Sequence, residues 1–168
     1  MRENPGWERR HRREPGDAII SAIAVGAVFI LIGLVFVLAL PNNLWDKIVG
    51  FFNNITTTQV PHTTLTLPAP ANPGAHEVLY TALFQFSLGI AALQVVILAL
   101  RFALHSRIGR IAETIGNLVF WAGAGYLVNA YLNSSTTLTA WFSFWAALLV
   151  IVGLSVIARA LVRIIARK

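Results

Sequence analysis

Apolar positions in this chain gather into four runs, at about 18–40, 78–100, 113–132 and 138–160, divided by polar stretches of very different character. Each run approaches the ~20 residues that a helix rising about 1.5 Å per residue needs to cross a hydrocarbon layer. The first contains no ionisable group from Ala18 to Leu40 and stops at Pro41, where a helix loses a backbone donor. It outruns the ~7–15 apolar residues of a secretory signal and leaves as VLALPNN, so it reads as a retained span. The third helix is expected to begin on its wet side, near Arg107. The pattern predicts an all-α integral membrane protein, a four-helix transmembrane bundle over residues 18–168 behind a basic tail, 1–17.

The polar stretch 41–77 divides in two. In NNLWDKIVGFFNN, Leu44, Trp45, Ile48, Val49, Phe51 and Phe52 share one arc of about 160°, opposite Asp46, Lys47 and Gly50. This spacing predicts a short helix lying in the outer interface of the bilayer or capping the bundle mouth, with partner docking as the alternative. TTTQVPHTTLTLPAPANPG is rich in Thr and in Pro, which donates no backbone hydrogen bond, and predicts an exposed, irregular strap.

Charge assigns the sides. The chain has 13 Lys and Arg against 7 Asp and Glu, and Lys47 is the one basic residue in the first loop. Arg2, Arg9, Arg10, Arg12 and Arg13 precede the first span, Arg101, Arg107 and Arg110 join the second to the third, and Arg159, Arg163, Arg167 and Lys168 follow the fourth. An even number of crossings puts all of these on one side, which the positive-inside rule makes cytoplasmic, giving N-in/C-in topology and a multi-pass plasma-membrane location. This sorting accounts for the net charge of +6 without nucleic acid as a partner. The face shared by Arg159, Arg163 and Arg167 is expected to meet lipid headgroups, as is the N-terminal tail.

Helix packing is expected along small residues. Taking Gly109 as zero, Ala112, Gly116, Gly123 and Ala130 fall near 300°, 340°, 320° and 300° on the third helix, one narrow strip at about 100° per residue. The same seven-residue interval joins Gly26 to Gly33, Ala82 to Gly89, and Ala146 to Gly153 to Ala160. Between helices in lipid, close backbone approach replaces the missing hydrophobic gain, so these strips predict tight contacts within the bundle or across a dimer interface. Gln85, Gln94, Asn117 and Asn129 are the amides at membrane depth, expected to bond between helices. Asn117 and Asn129 lie at about 80° and 200° and about 18 Å apart along the axis, too far to hold one small ligand.

Candidate chemistry is sparse. Cysteine is absent, which removes disulfides and thiolate sites. No catalytic, cofactor-binding or metal-ligating constellation is evident, and no cofactor is expected. His62, His76 and Glu77 are expected to be solvated loop residues. Glu113 is expected to pair with Arg110 or Arg107, and none of the four apolar cores carries the ionisable group that proton-coupled carriers use. Asn54 and Asn133 match the glycan acceptor pattern, Asn54 being the better candidate. The sequence therefore reads as a non-enzymatic accessory or scaffold subunit whose partners are the bilayer and further membrane subunits or copies of itself. The alternative is a small transporter or channel with a polar path through the four amides.

Overall fold

The computed structural model describes residues 15–166, with side chains from residue 19 onward. The basic tail 1–14, with all five of its arginines, and Arg167 and Lys168 lie outside the described residues. The chain is mostly helical, and four of its helices are long and apolar enough to span a membrane: α1 (Pro15–Ala39), α3 (Glu77–Ala103), α4 (Ile108–Tyr131) and α5 (Leu138–Ile165).

Local signals set the ends of these helices. Leu40–Asn42, containing Pro41, tighten into a 3-10 turn, and Asn43 takes the left-handed conformation that turns the chain into α2 (Leu44–Asn53). Asparagine is among the few residues with a side chain that visit this region readily. Arg107 precedes the first turn of α4, and Thr137 caps α5 by accepting from the Ala140 N–H at 3.2 Å.

The strap expected to be irregular is instead a hairpin. β1 (Ile55–Gln59) pairs antiparallel with β2 (Thr66–Pro70), from Ile55 opposite Pro70 to Gln59 opposite Thr66. The Val60 N–H donates to Leu65 O at 2.8 Å and the Ala71 N–H to Asn54 O at 2.9 Å. Counting in twos between those bonds puts Pro68 and Pro70 at positions whose nitrogens face away from the partner strand, so neither proline removes a ladder bond. The β-branched Ile55, Thr56, Thr57 and Thr58 favour the extended backbone opposite them.

The long helices stand side by side in the order α1, α3, α4, α5, each packed on the next; among the described residues α5 has no extended contact with α1 or α3. Helical geometry explains the line. On α3, Ala82 and Gly89 turn toward α1, Leu31 lying against Gly89, while Ser87 meets α4 at Gly125 about 160° around the helix. On α4, Gly116 and Gly123 turn the other way, toward Arg159 and Ile151 of α5. Neighbours on nearly opposite sides of each central helix make a row, more open than the compact bundle expected. Lipid can cover the free edges, so nothing drives the row to close.

One end of the row carries α2, the hairpin and the α4–α5 connection. A Cβ on Gly74 would stand 2.5 Å from Ser134 O, so only glycine lets the turn before α3 (Pro73–His76) approach that connection. The opposite end gathers the described arginines, Arg101, Arg107, Arg110, Arg159 and Arg163.

Candidate functional site

An apolar groove lies at the hairpin end, where α3 and α5 flank α4 and touch through the Tyr80 and Trp141 rings. Phe120, Ala124, Val128 and Trp121 occupy about 20° to 120° on α4 and form its floor. Leu79, Tyr80, Leu83 and Ser87 of α3 make one wall, and Trp141, Phe144, Trp145 and Leu148 of α5 the other. Its volume is about 320 Å³, and Phe51 of α2 borders its end. A second apolar hollow of about 380 Å³ runs between β2 and α5, sharing Phe51, Trp141 and Trp145 with the first.

These shared rings are held by aromatic packing. Trp141 is buried, with its ring centroid 6.0 Å from Phe51, 6.4 Å from Tyr80 and, edge to face, 5.8 Å from Trp145. The Tyr80 hydroxyl donates to Pro73 O at 2.8 Å, but the buried indole N–H of Trp141 has no acceptor among the described residues. His76 is buried as well, contrary to the expectation of a solvated loop histidine. Its ring stands edge to face with Phe51 at 5.0 Å, and its Nε2 accepts from Asn54 Nδ2 at 3.3 Å. Half-buried Asn54 therefore turns the nitrogen that a glycan would occupy toward the protein. His62 is exposed at the hairpin tip.

The apolar arc of α2 divides into two strips. Leu44 is buried and Ile48 and Phe51 half-buried against the row, whereas Trp45, Val49 and Phe52 stay exposed. The four amides are dispersed. Gln85 is exposed beside a hollow between α1 and α3, Gln94 is half-buried on α3, and Asn129 is exposed on the face of α4 away from the groove. Asn117 accepts from Arg159 Nη2 at 2.9 Å.

That bond belongs to a polar cluster at the arginine end. The Arg159 side chain crosses α4 over Gly116, where a Cβ would collide with it. Glu113 lies 3.6 Å from Arg110 and 3.9 Å from Arg163, both half-exposed pairs of small net worth. Arg101 Nη1 donates to Arg110 O, tying the end of α3 to the start of α4. Of the three arginines expected to meet headgroups, Arg159 turns toward α4, Arg163 is exposed beside Glu113, and Arg167 lies outside the described residues.

The small residues take contrasting places. Ala82 and Ala112 are buried and Gly89, Gly116 and Gly123 pack against a neighbouring helix, while Gly26, Gly33, Gly109 and Gly153 face open space and Ala130, Ala146 and Ala160 are exposed. Sequence reasoning missed Trp141, Tyr80 and the turn of Arg159 toward Asn117. The tryptophan signal was available in the WFSFW cluster at the wet end of the last span, but the Arg159–Asn117 partnership, 42 residues apart, had none. No family model matches the chain, and no curated protein or solved structure matches it either.

Proposed function

We propose that this is a non-enzymatic four-span scaffold or accessory subunit that completes its packing with further membrane subunits or a second copy of itself. The observation that carries this reading is the open row. Among the described long helices α1 packs extensively on α3 but not on α4 or α5, leaving Gly26 and Gly33 unpacked at one edge, and α5 leaves Ala146, Gly153 and Ala160 exposed at the other. Strips of small residues let backbones approach closely, the main source of contact between helices in lipid. The dispersed amides support this reading over a transport path, which needs polar groups along one continuous surface.

In this reading the arginine end is cytoplasmic, with both termini on that side of the plasma membrane. Trp45, Val49 and Phe52 of α2 lie in the outer headgroup boundary while Leu44, Ile48 and Phe51 hold the helix to the bundle. Extraction into native nanodiscs and mass measurement tests the assignment. The expected result is a defined oligomer, or a stoichiometric partner, that is lost on Gly26→Leu/Gly33→Leu or on Gly153→Leu. A lone monomer, with no associated subunit and no change in the variants, contradicts it.

A further inference from the structure

The hairpin has two edges, and only one of them is guarded. On the outer side of β2 the nitrogens of Pro68 and Pro70 carry no hydrogen, so a further strand cannot complete a ladder there. β1 is the reverse. Alternation along the ladder turns the N–H and C=O groups of Ile55, Thr57 and Gln59 away from β2, and no other element bonds to them among the described residues. β1 has no extended contact with any element but β2, and all three of these residues are exposed.

Exposed strand edges are normally blunted by charge, proline or a bulge, because bare backbone recruits another strand. Ile55–Gln59 has no charge, proline or glycine, and its β-branched Ile55, Thr56, Thr57 and Thr58 hold the extended form that pairing needs. Self-complementarity names the occupant. The antiparallel register that engages every outward group sets Thr57 opposite Thr57 of a second copy and Ile55 opposite its Gln59, with no like charges facing each other. Copies inserted in one membrane carry β1 at one height, so pairing needs lateral approach alone. The two-fold axis between such copies stands along the membrane normal, the only direction that leaves both inserted the same way.

We infer that β1 pairs antiparallel with β1 of a second copy of this chain, joining two hairpins into one continuous sheet beyond the ends of the spans. The contact is backbone to backbone, lies apart from the glycine strips of α1 and α5, and does not rest on them. Thr57 then lies on the two-fold axis, with its Cα about 5.5 Å from that of its copy, as in hydrogen-bonded antiparallel pairs generally. A disulfide spans about 4.4–6.8 Å between Cα atoms, so a cysteine at this position reports the pairing.

The test uses full-length protein in liposomes at low density, with single cysteines placed at each position from 55 to 59 and, as a collision control, at Thr64 on the hairpin tip. The chain has no cysteine of its own to compete. Under mild oxidation Thr57→Cys should yield about tenfold more disulfide dimer than Thr64→Cys. Ile55→Cys and Gln59→Cys should cross-link weakly alone and strongly when the two proteins are mixed. Thr57→Pro removes an outward N–H and no bond to β2, so it should abolish that mixed cross-link while the Thr56 and Thr58 amides stay protected from hydrogen exchange. Gly33→Leu and Gly153→Leu should leave the Thr57→Cys dimer unchanged, which separates a failure at the helix edges from a failure at the hairpins. The inference is overturned if Thr57→Cys cross-links no more than Thr64→Cys, or if the maximum falls elsewhere between 55 and 59. It is equally overturned if the mixed cross-link survives Thr57→Pro, or if the Thr57→Cys dimer is lost with the helix-edge glycines.

Discussion

α1 and α4 are both spans that carry glycines seven residues apart, yet they answer to different surroundings. α1 has a mean hydropathy of 3.1 and stands at the edge of the row with Gly26 and Gly33 facing open space. α4 has a mean hydropathy of only 1.2, the lowest of the four, and is the most buried, with Gly116 and Gly123 pressed against α5. A helix surrounded by lipid needs apolar side chains all round, whereas one surrounded by protein can replace them with small and polar groups that its neighbours satisfy. Between these two helices hydropathy falls as burial rises, and the same residue type changes meaning with it.

The largest contrast is expected at the glycines. A Cβ on Gly123 would already stand 2.8 Å from Ile151 side-chain atoms, so Gly123→Leu should destabilise the α4–α5 contact by about 2–3 kcal/mol and lower the melting temperature in detergent. Gly33→Leu, where nothing lies within 4 Å, should leave the melt of a monomeric preparation within about 0.5 kcal/mol of wild type. Equal losses at both positions would remove the distinction between centre and edge.

A smaller effect is expected from the polar anchor of α4. Arg159→Met keeps much of the stem over Gly116 but deletes the 2.9 Å bond to Asn117, and should cost about 1.5 kcal/mol in the same melt, with Asn117→Leu costing a similar amount. Their combination should be less than additive, because either change alone breaks the same bond.

Next, Leu31→Ala removes the α1 side chain that rests on Gly89. The loss should be about 1 kcal/mol, since little hydrophobic gain separates protein from lipid contact. Hydrogen exchange should quicken in α1 and stay unchanged in α4 and α5, which would show that α1 moves independently of the row's centre. The smallest effect belongs to Ala130→Leu on the exposed face of α4, expected within about 0.5 kcal/mol by melt. This last variant separates the side of a helix from the identity of the helix.

Much of the architecture is legible in the sequence. Four runs of membrane-crossing length became four helices, because the cost of an unsatisfied backbone in lipid leaves helices as the available form for such runs. The hairpin was not read, although its information was present: Pro68 and Pro70 differ by two, which is the spacing that keeps both missing donors on one outer edge. Composition alone suggested irregularity, and only parity suggests a strand. The order of the helices was hidden for a different reason. Small residues marked possible contacts on every span, and nothing local to Gly26 or Gly116 says which of them has a neighbour. The groove bordered by Trp141 depends on α3 and α5 packing on either side of α4, a property of the row that no single stretch encodes.

The row itself is the central claim, and the distance between its edges tests it most directly. The chain contains no cysteine, so spin labels on Ile30→Cys and Leu149→Cys, both highly exposed, report that distance without competing sites. Labelled chains diluted into excess unlabelled protein should show α1 and α5 three helix spacings apart, about 25–30 Å at 8–10 Å per spacing. A distance of about 10–15 Å would mean that α1 folds back against α5 to close the bundle, and would contradict the open row.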